Sequence, residues 1–214
     1  MKTRSITLLF LAGAALACAT LARAEVDDDV RKLQHDWEVI KYRQPAAEQE
    51  KAFKALAETA AAVRARYADR AEPEIWYGII VASHAGAKGG LGALALAKDA
   101  RNALEHALKI DPKALSGSAY ASLGSLYYQV PGWPIGFGDD AKARELLDKA
   151  LAANPAGIDP NYFLGDYLYR QRDFDGARKA LERALKAPAR PDRPLADEGR
   201  RKEIQELMAK LPVR

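Results

Sequence analysis

Three histidines, a single cysteine and a few serine- and glycine-rich stretches are where this 214-residue chain could do chemistry. A metal ion needs ligands one helical turn apart or in Cys-x-x-Cys spacing, and a general base needs a nucleophile beside it. His35, His84 and His106 stand far apart, and neither a His-Glu-x-x-His nor a Cys-x-x-Cys spacing occurs. Each histidine reads as a helix-surface residue. The runs at Ser116-Gly117-Ser118 and Ser122-Leu123-Gly124-Ser125 do not make a Gly-x-Ser-x-Gly elbow, and no strand is expected to mount one. The stretch from Gly86 to Gly92 has the glycines of a phosphate loop, but Lys88 precedes Gly89 and Gly90 where that loop needs Gly-Lys before Ser or Thr. A helix-helix hinge is the reading. Asp27, Asp28 and Asp29, and the pair Asp139 and Asp140, read as helix starts, since carboxylates favour the positive end of the helix dipole. No catalytic residue, no metal site and no cofactor is expected. A binding module is.

The elements that would carry such a module begin after residue 24. Lys2 and Arg4 form a basic end, Ile6 to Ala19 is an apolar run, and Ala22-Arg23-Ala24 offers small residues at the two positions a signal peptidase reads. Residues 1–24 are therefore expected to be a signal peptide, cleaved after Ala24, with export to the periplasm. Leu16-Ala17-Cys18 resembles part of a lipoprotein box, but Ala15 replaces the usual leucine, so lipid anchoring at Cys18 is the lesser reading. Cleavage removes Lys2, Arg4 and Arg23 from the 33 bases and none of the 29 acids, leaving about +1. That balance gives no electrostatic case for nucleic acid. Roughly 190 remaining residues, about half of them apolar, are enough for one core without disulfides.

Along the mature chain, apolar residues recur at helical spacing. Val30, Leu33, Trp37 and Ile40 mark one stripe, and Phe53, Leu56, Ala60 and Val63 mark a second helix after Pro45. Further on the same helix pair is written more than once. Ala143, Leu147 and Ala150 return 34 residues later as Ala177, Leu181 and Ala184. Ala100, Leu104, Ala107 and Pro112 lie 43 residues before Ala143, Leu147, Ala150 and Pro155. A fixed offset of this size marks a two-helix unit that buries its apolar face only by stacking on the next.

This small-large pattern resembles the tetratricopeptide-repeat (TPR) family. The resemblance implies an all-α, right-handed helical-hairpin solenoid with capping helices at both ends. Residues 25–70 would form N-terminal capping helices or a degenerate repeat, 71–190 three helix pairs, and 191–214 a C-terminal cap with a solvated charged back. With Gly78, Gly124 and Gly165 in register, the first two copies carry about ten and seven extra residues between their helices, which places two insertions along one edge.

In that family the first helix of each pair lines the concave wall. The register therefore implies a groove of Ser125, Tyr128, Gln129, Tyr162, Asp166, Tyr169 and Arg170, with Ser118, Ala121, Ile75, Ile79 and Ser83 also facing inward. Tyrosine and arginine suit a peptide or a small organic ligand, although the tyrosines could equally pack between repeats. The resemblance itself implies a protein or peptide partner. Trp133 and Phe137, in the Pro- and Gly-rich insertion 130–138, either tuck back onto the helices or form a lip over the groove. A narrower resemblance, carried by Pro131-Gly132-Trp133-Pro134, Lys88-Gly89-Gly90 and Gly157 to Tyr162, is to the T components associated with bacterial TRAP transporters. It implies a periplasmic solute-binding protein as partner, a small organic ligand, homo-oligomers, and no membrane span.

Overall fold

The computed structural model describes the backbone of residues 4–212 and the side chains of residues 24–212. Helix α1 spans Arg4–Arg43, α2 Ala46–Arg66, α3 Ala71–Lys88, α4 Ala93–Ile110, α5 Ser118–Gln129, α6 Asp140–Ala153, α7 Ile158–Arg170, α8 Phe174–Leu185 and α9 Pro194–Ala209. No strand occurs among the described residues. The expected cleavage at Ala24 and the alternative at Cys18 concern a leader, residues 1–23, whose side chains lie outside the described residues. Among the described residues no helix is long and apolar enough to cross a membrane.

The fold is an all-α helical-repeat solenoid. Three antiparallel pairs, α3/α4, α5/α6 and α7/α8, stack in chain order, with α1 and α2 before them. The repeated alanines and leucines form the seam: Ala100, Leu104, Ala143, Leu147, Ala177 and Leu181 are fully shielded from solvent. Alanine at these positions lets helices approach closely, and leucine fills the space between them. The start signals at the later pairs act as their chemistry requires. Asp139 accepts a hydrogen bond from the Lys142 amide at 2.9 Å, and Asp173 accepts one from the Gly176 amide at 2.9 Å.

Two expectations fail at the N-terminus. Asp27, Asp28 and Asp29 do not begin a helix, because α1 already runs through them from Arg4. Asp29 instead ties α1 to α2, accepting from Arg66 at 2.7 Å and from the Tyr67 hydroxyl at 3.0 Å. His84 is not a surface residue either. It is buried in α3, and desolvation, helped by Lys88, lowers its pKa.

The larger departure concerns the ends of the solenoid. Helices α1, α3, α5, α7 and α9 each touch the next, and α9 returns to α1. The five inner helices therefore form a closed ring, with α2, α4, α6 and α8 outside it. Helix α9 is an inner-wall helix, and its charged residues are not simply solvated. Arg200 is only 8 % exposed.

Candidate functional site: the interior of the helical ring

The ring encloses a cavity of about 670 Å³. Its wall comes from the C-terminal part of α1 and from residues along α3, α5 and α7, plus α2 and α9. One side is aromatic and neutral: Trp37, Trp76 and Phe53 stand beside Ser83, Ser122, Ser125 and Gln129. Trp37 packs edge-on against both Tyr42 and Trp76, and its indole N–H donates to the Ser83 hydroxyl at 2.8 Å. The Trp76 indole N–H has no acceptor although the residue is 4 % exposed. The nitrogen itself is buried away from the cavity.

The adjoining side is ionic, and it meets the aromatic one where the Arg193 guanidinium lies 5.0 Å from the Trp76 ring centre. Arg200 donates to Asp159 at 2.8 Å and to Glu203 at 2.6 Å, while its guanidinium lies 4.3 Å from the Tyr162 ring centre. Arg190 donates to Asp159 at 2.8 Å and to Asp197 at 2.7 Å. Arg193 donates to Glu38 at 2.5 Å, and Lys41 lies 3.4 Å from Glu203. Burial pulls the Asp159 carboxyl up, but Arg200, Arg190 and Arg193 outweigh it and hold the group at about 2. Burial pushes the Tyr162 hydroxyl up to about 12, against the pull of Arg200. Each cation has an anion within reach, so this side is a self-neutralised network that joins α7 and α9 to α1.

A second cavity of about 390 Å³ lies at the other end of the ring, where outer helices connect back to inner ones. The two cavities share Trp76, Ser118, Ala121, Asp159, Arg190 and Arg193. Its floor includes Leu115 and Ser116 in left-handed backbone conformations, φ 47° and 54°, followed by Gly117 at 77°. Non-glycine residues in that region are strained, and the surrounding packing has to hold them there.

Of the groove positions read from the sequence, Ser125, Gln129, Tyr162, Asp166 and Arg170 line the main cavity, as do Ser118, Ala121, Ile79 and Ser83. Tyr128, Tyr169 and Ile75 do not. Tyr128 is buried between α5 and α7, where its hydroxyl donates to Asp166 at 2.9 Å and its ring tilts against Tyr167 at 5.8 Å. Tyr169 packs against Phe174 at 5.9 Å. These two serve the seam, because a long side chain at the edge of an inner face reaches the neighbouring helix before it reaches open space. Trp133 and Phe137 do not line the cavity either. Phe137 tucks back on Tyr127 at 5.5 Å, with the Arg101 guanidinium 4.5 Å from its ring centre, and Trp133 is 91 % exposed. The sequence reading missed Arg190, Arg193 and Arg200, which look like ordinary surface charge in a basic tail.

Among the described residues no group of three or more His, Cys, Asp or Glu could hold a metal ion. No protein-family model and no curated protein matches the sequence. Among solved structures, a thermophilic TPR protein from Thermus thermophilus superposes with a TM-score of 0.57 at 13% identity, over 91% of this chain and 96% of its own. PilF of Pseudomonas aeruginosa covers 89% of this chain and 90% of its own at 14% identity, with a TM-score of 0.36, too loose to carry an argument. The first likeness places the fold in the TPR class.

Proposed function

We propose that this TPR-fold chain is a non-catalytic binding scaffold that holds its partner at the interior of the helical ring. The observation that carries the reading is the meeting of register and geometry. Five positions assigned to the inner wall from repeat spacing, Ser125, Gln129, Tyr162, Asp166 and Arg170, line one cavity. The wall offers aromatic faces, hydroxyls and an amide but no nucleophile-base pair, which suits recognition rather than turnover. A protein partner would present a terminus or loop to the cavity mouth. The test is a pull-down from periplasmic extract with the wild type and with Ser125→Trp, which fills the cavity from α5. Loss of a specific protein band with an unchanged circular dichroism spectrum supports the reading. Retention of every band sinks it.

A second reading is favoured by ring closure. A cavity of about 670 Å³ falls within the size of small-molecule sites, roughly 300–1,000 Å³. On this reading the ring holds a small organic ligand, on behalf of a solute-binding protein of the TRAP type. Native mass spectrometry of freshly purified protein decides it: a bound mass lost in Ser125→Trp supports a ligand. Export to the periplasm is part of both readings and rests on the leader pattern of residues 1–24. A fusion of alkaline phosphatase after residue 40 checks it, since only exported phosphatase is active.

A further inference from the structure

The three large apolar side chains exposed among the described residues all stand on the two inserted loops. Leu91 is 85 % exposed, Trp133 91 % and Ile135 58 %. Leu91 belongs to the α3-α4 connection, and Trp133 and Ile135 to the α5-α6 connection. The loops are neighbours: a Cβ at Gly136 would lie 3.2 Å from Leu94 Cδ1, at the start of α4. Both leave from residues of the main cavity wall, Gly86 and Ala87 on one side and Gln129 on the other. The apolar tips therefore stand on connections that begin at the cavity wall.

The α5-α6 loop is built to hold its tip outward. Gly138 donates its amide to the Pro131 carbonyl at 2.9 Å, and Ile135 and Gly136 both donate to the Gly132 carbonyl at 3.1 Å. Phe137 anchors the loop on Tyr127 and Arg101. Folding thus half-buries Phe137 against Tyr127 and leaves Trp133 outside. Neither loop carries an acidic residue: residues 86–94 and 130–138 contain Lys88 as their single charged side chain.

We infer that this loop edge is a membrane-surface docking site, with Leu91, Trp133 and Ile135 entering the interfacial layer of a phospholipid bilayer. Three protruding tips suit a soft surface. A tryptophan buries at most about 250 Å², a fraction of the roughly 800 Å² per partner that a stable dimer buries. Tryptophan is the side chain that prefers the headgroup level. The loops themselves carry no acid, while Glu50 pairs with Lys88 at 3.3 Å and Asp139 and Asp140 follow the second loop. The inference is independent of what fills the cavity.

Trp37 and Trp76 are 7 % and 4 % exposed, so Trp133 alone among the three tryptophans reports on solvent. The full chain is titrated with vesicles of phosphatidylcholine and of phosphatidylcholine with phosphatidylglycerol, following tryptophan emission and acrylamide quenching. The expected result is a blue shift and at least a threefold loss of quenching, both absent in Trp133→Ala. A Leu91→Asp, Ile135→Asp variant, with Trp133 still in place, is expected to partition at least tenfold more weakly. Vesicle binding through the N-terminal segment with Trp133 quenching unchanged overturns the inference. So does a Trp133-dependent dimer in analytical ultracentrifugation with no vesicle effect.

Discussion

Gly165 lies so close under Leu181 that a Cβ at the glycine would stand 2.6 Å from Leu181 Cδ2 and 2.8 Å from Cγ. The same relation recurs at Gly124 with Leu147 and at Gly78 with Leu104, where the nearest approaches would be 3.0 Å and 2.7 Å. Each glycine sits on the inner helix of a pair and each leucine on the outer one. The repeat is thus a contact as well as a spacing. Without a Cβ, the inner helix can seat the leucine directly on its backbone.

Gly165→Ala is therefore expected to destabilise the chain by about 1–3 kcal/mol, the usual cost of overpacking. That loss comes despite the better helix propensity of alanine. Gly86 supplies the control, since a Cβ there meets nothing within 4 Å. Gly86→Ala should stabilise by up to about 1 kcal/mol. Urea midpoints of the two variants should move in opposite directions, and a shift of both the same way removes the argument.

Ring closure has its own steric probe. A Cβ at Gly199 would fall 2.3 Å from Tyr42 Cδ1, so α9 lies against the Tyr42 ring of α1. Gly199→Ala should wedge this seam open while leaving the three hairpins intact. Hydrogen exchange is expected to rise in α9 and the end of α1, with α5 to α8 unchanged. Uniform protection would show that the ring does not depend on this contact.

The ionic side of the cavity makes stability depend on acid. Asp159 is held at about 2 against an ordinary 3.8, so the unfolded chain takes up this proton more readily than the folded one. Its contribution is fully present above about pH 4 and is lost as pH falls toward 2. The shift corresponds to about 2 kcal/mol. Urea midpoints of the wild type should fall through that window, and Asp159→Asn should fall less steeply. Equal slopes in the two proteins would assign acid sensitivity to other carboxylates.

Tyr128 and Gln129 are adjacent in sequence and should behave differently. Tyr128→Phe removes the hydroxyl that donates to Asp166, at a cost of about 1 kcal/mol, and should leave partner or ligand binding unchanged. Gln129→Ala changes a cavity wall and should weaken binding with little effect on the melting temperature. Reversal of this pattern in a paired stability and pull-down assay would return Tyr128 to the binding surface.

Breaking the α1-α9 link at its most buried pair should cost most. Glu38 is 3 % exposed and accepts from Arg193 at 2.5 Å. Glu38→Ala leaves the guanidinium without its anion, and removing one partner of a buried pair costs about 3–5 kcal/mol. A double variant with Arg193→Leu should recover part of that loss. Chemical denaturation of the single and double variants measures it, and identical values for both would deny the coupling.

The hairpins were legible in the sequence because their information is local. Helical periodicity within each element, and fixed offsets between alanines and leucines, determine which face is buried and which element packs on which. The inner-wall assignment of Ser125, Gln129 and Tyr162 follows from the same register. Periodicity left Tyr128 and Tyr169 open between groove and packing, because it gives a direction from the helix axis, whereas the neighbouring helix decides whether that direction ends in a cavity or in packing.

What tertiary structure alone decided is closure. The contacts from Glu38 to Arg193 and from Tyr42 to Glu203 join residues 155 and 161 positions apart. No repeat or motif encodes them, since they depend on the curvature accumulated over all the pairs between. Small changes in each inter-helix angle add along a solenoid, so the sequence sets each step while only the assembled chain fixes where the last helix arrives. Arg200 therefore reads as surface charge in the sequence and stands in the fold as the centre of a buried network.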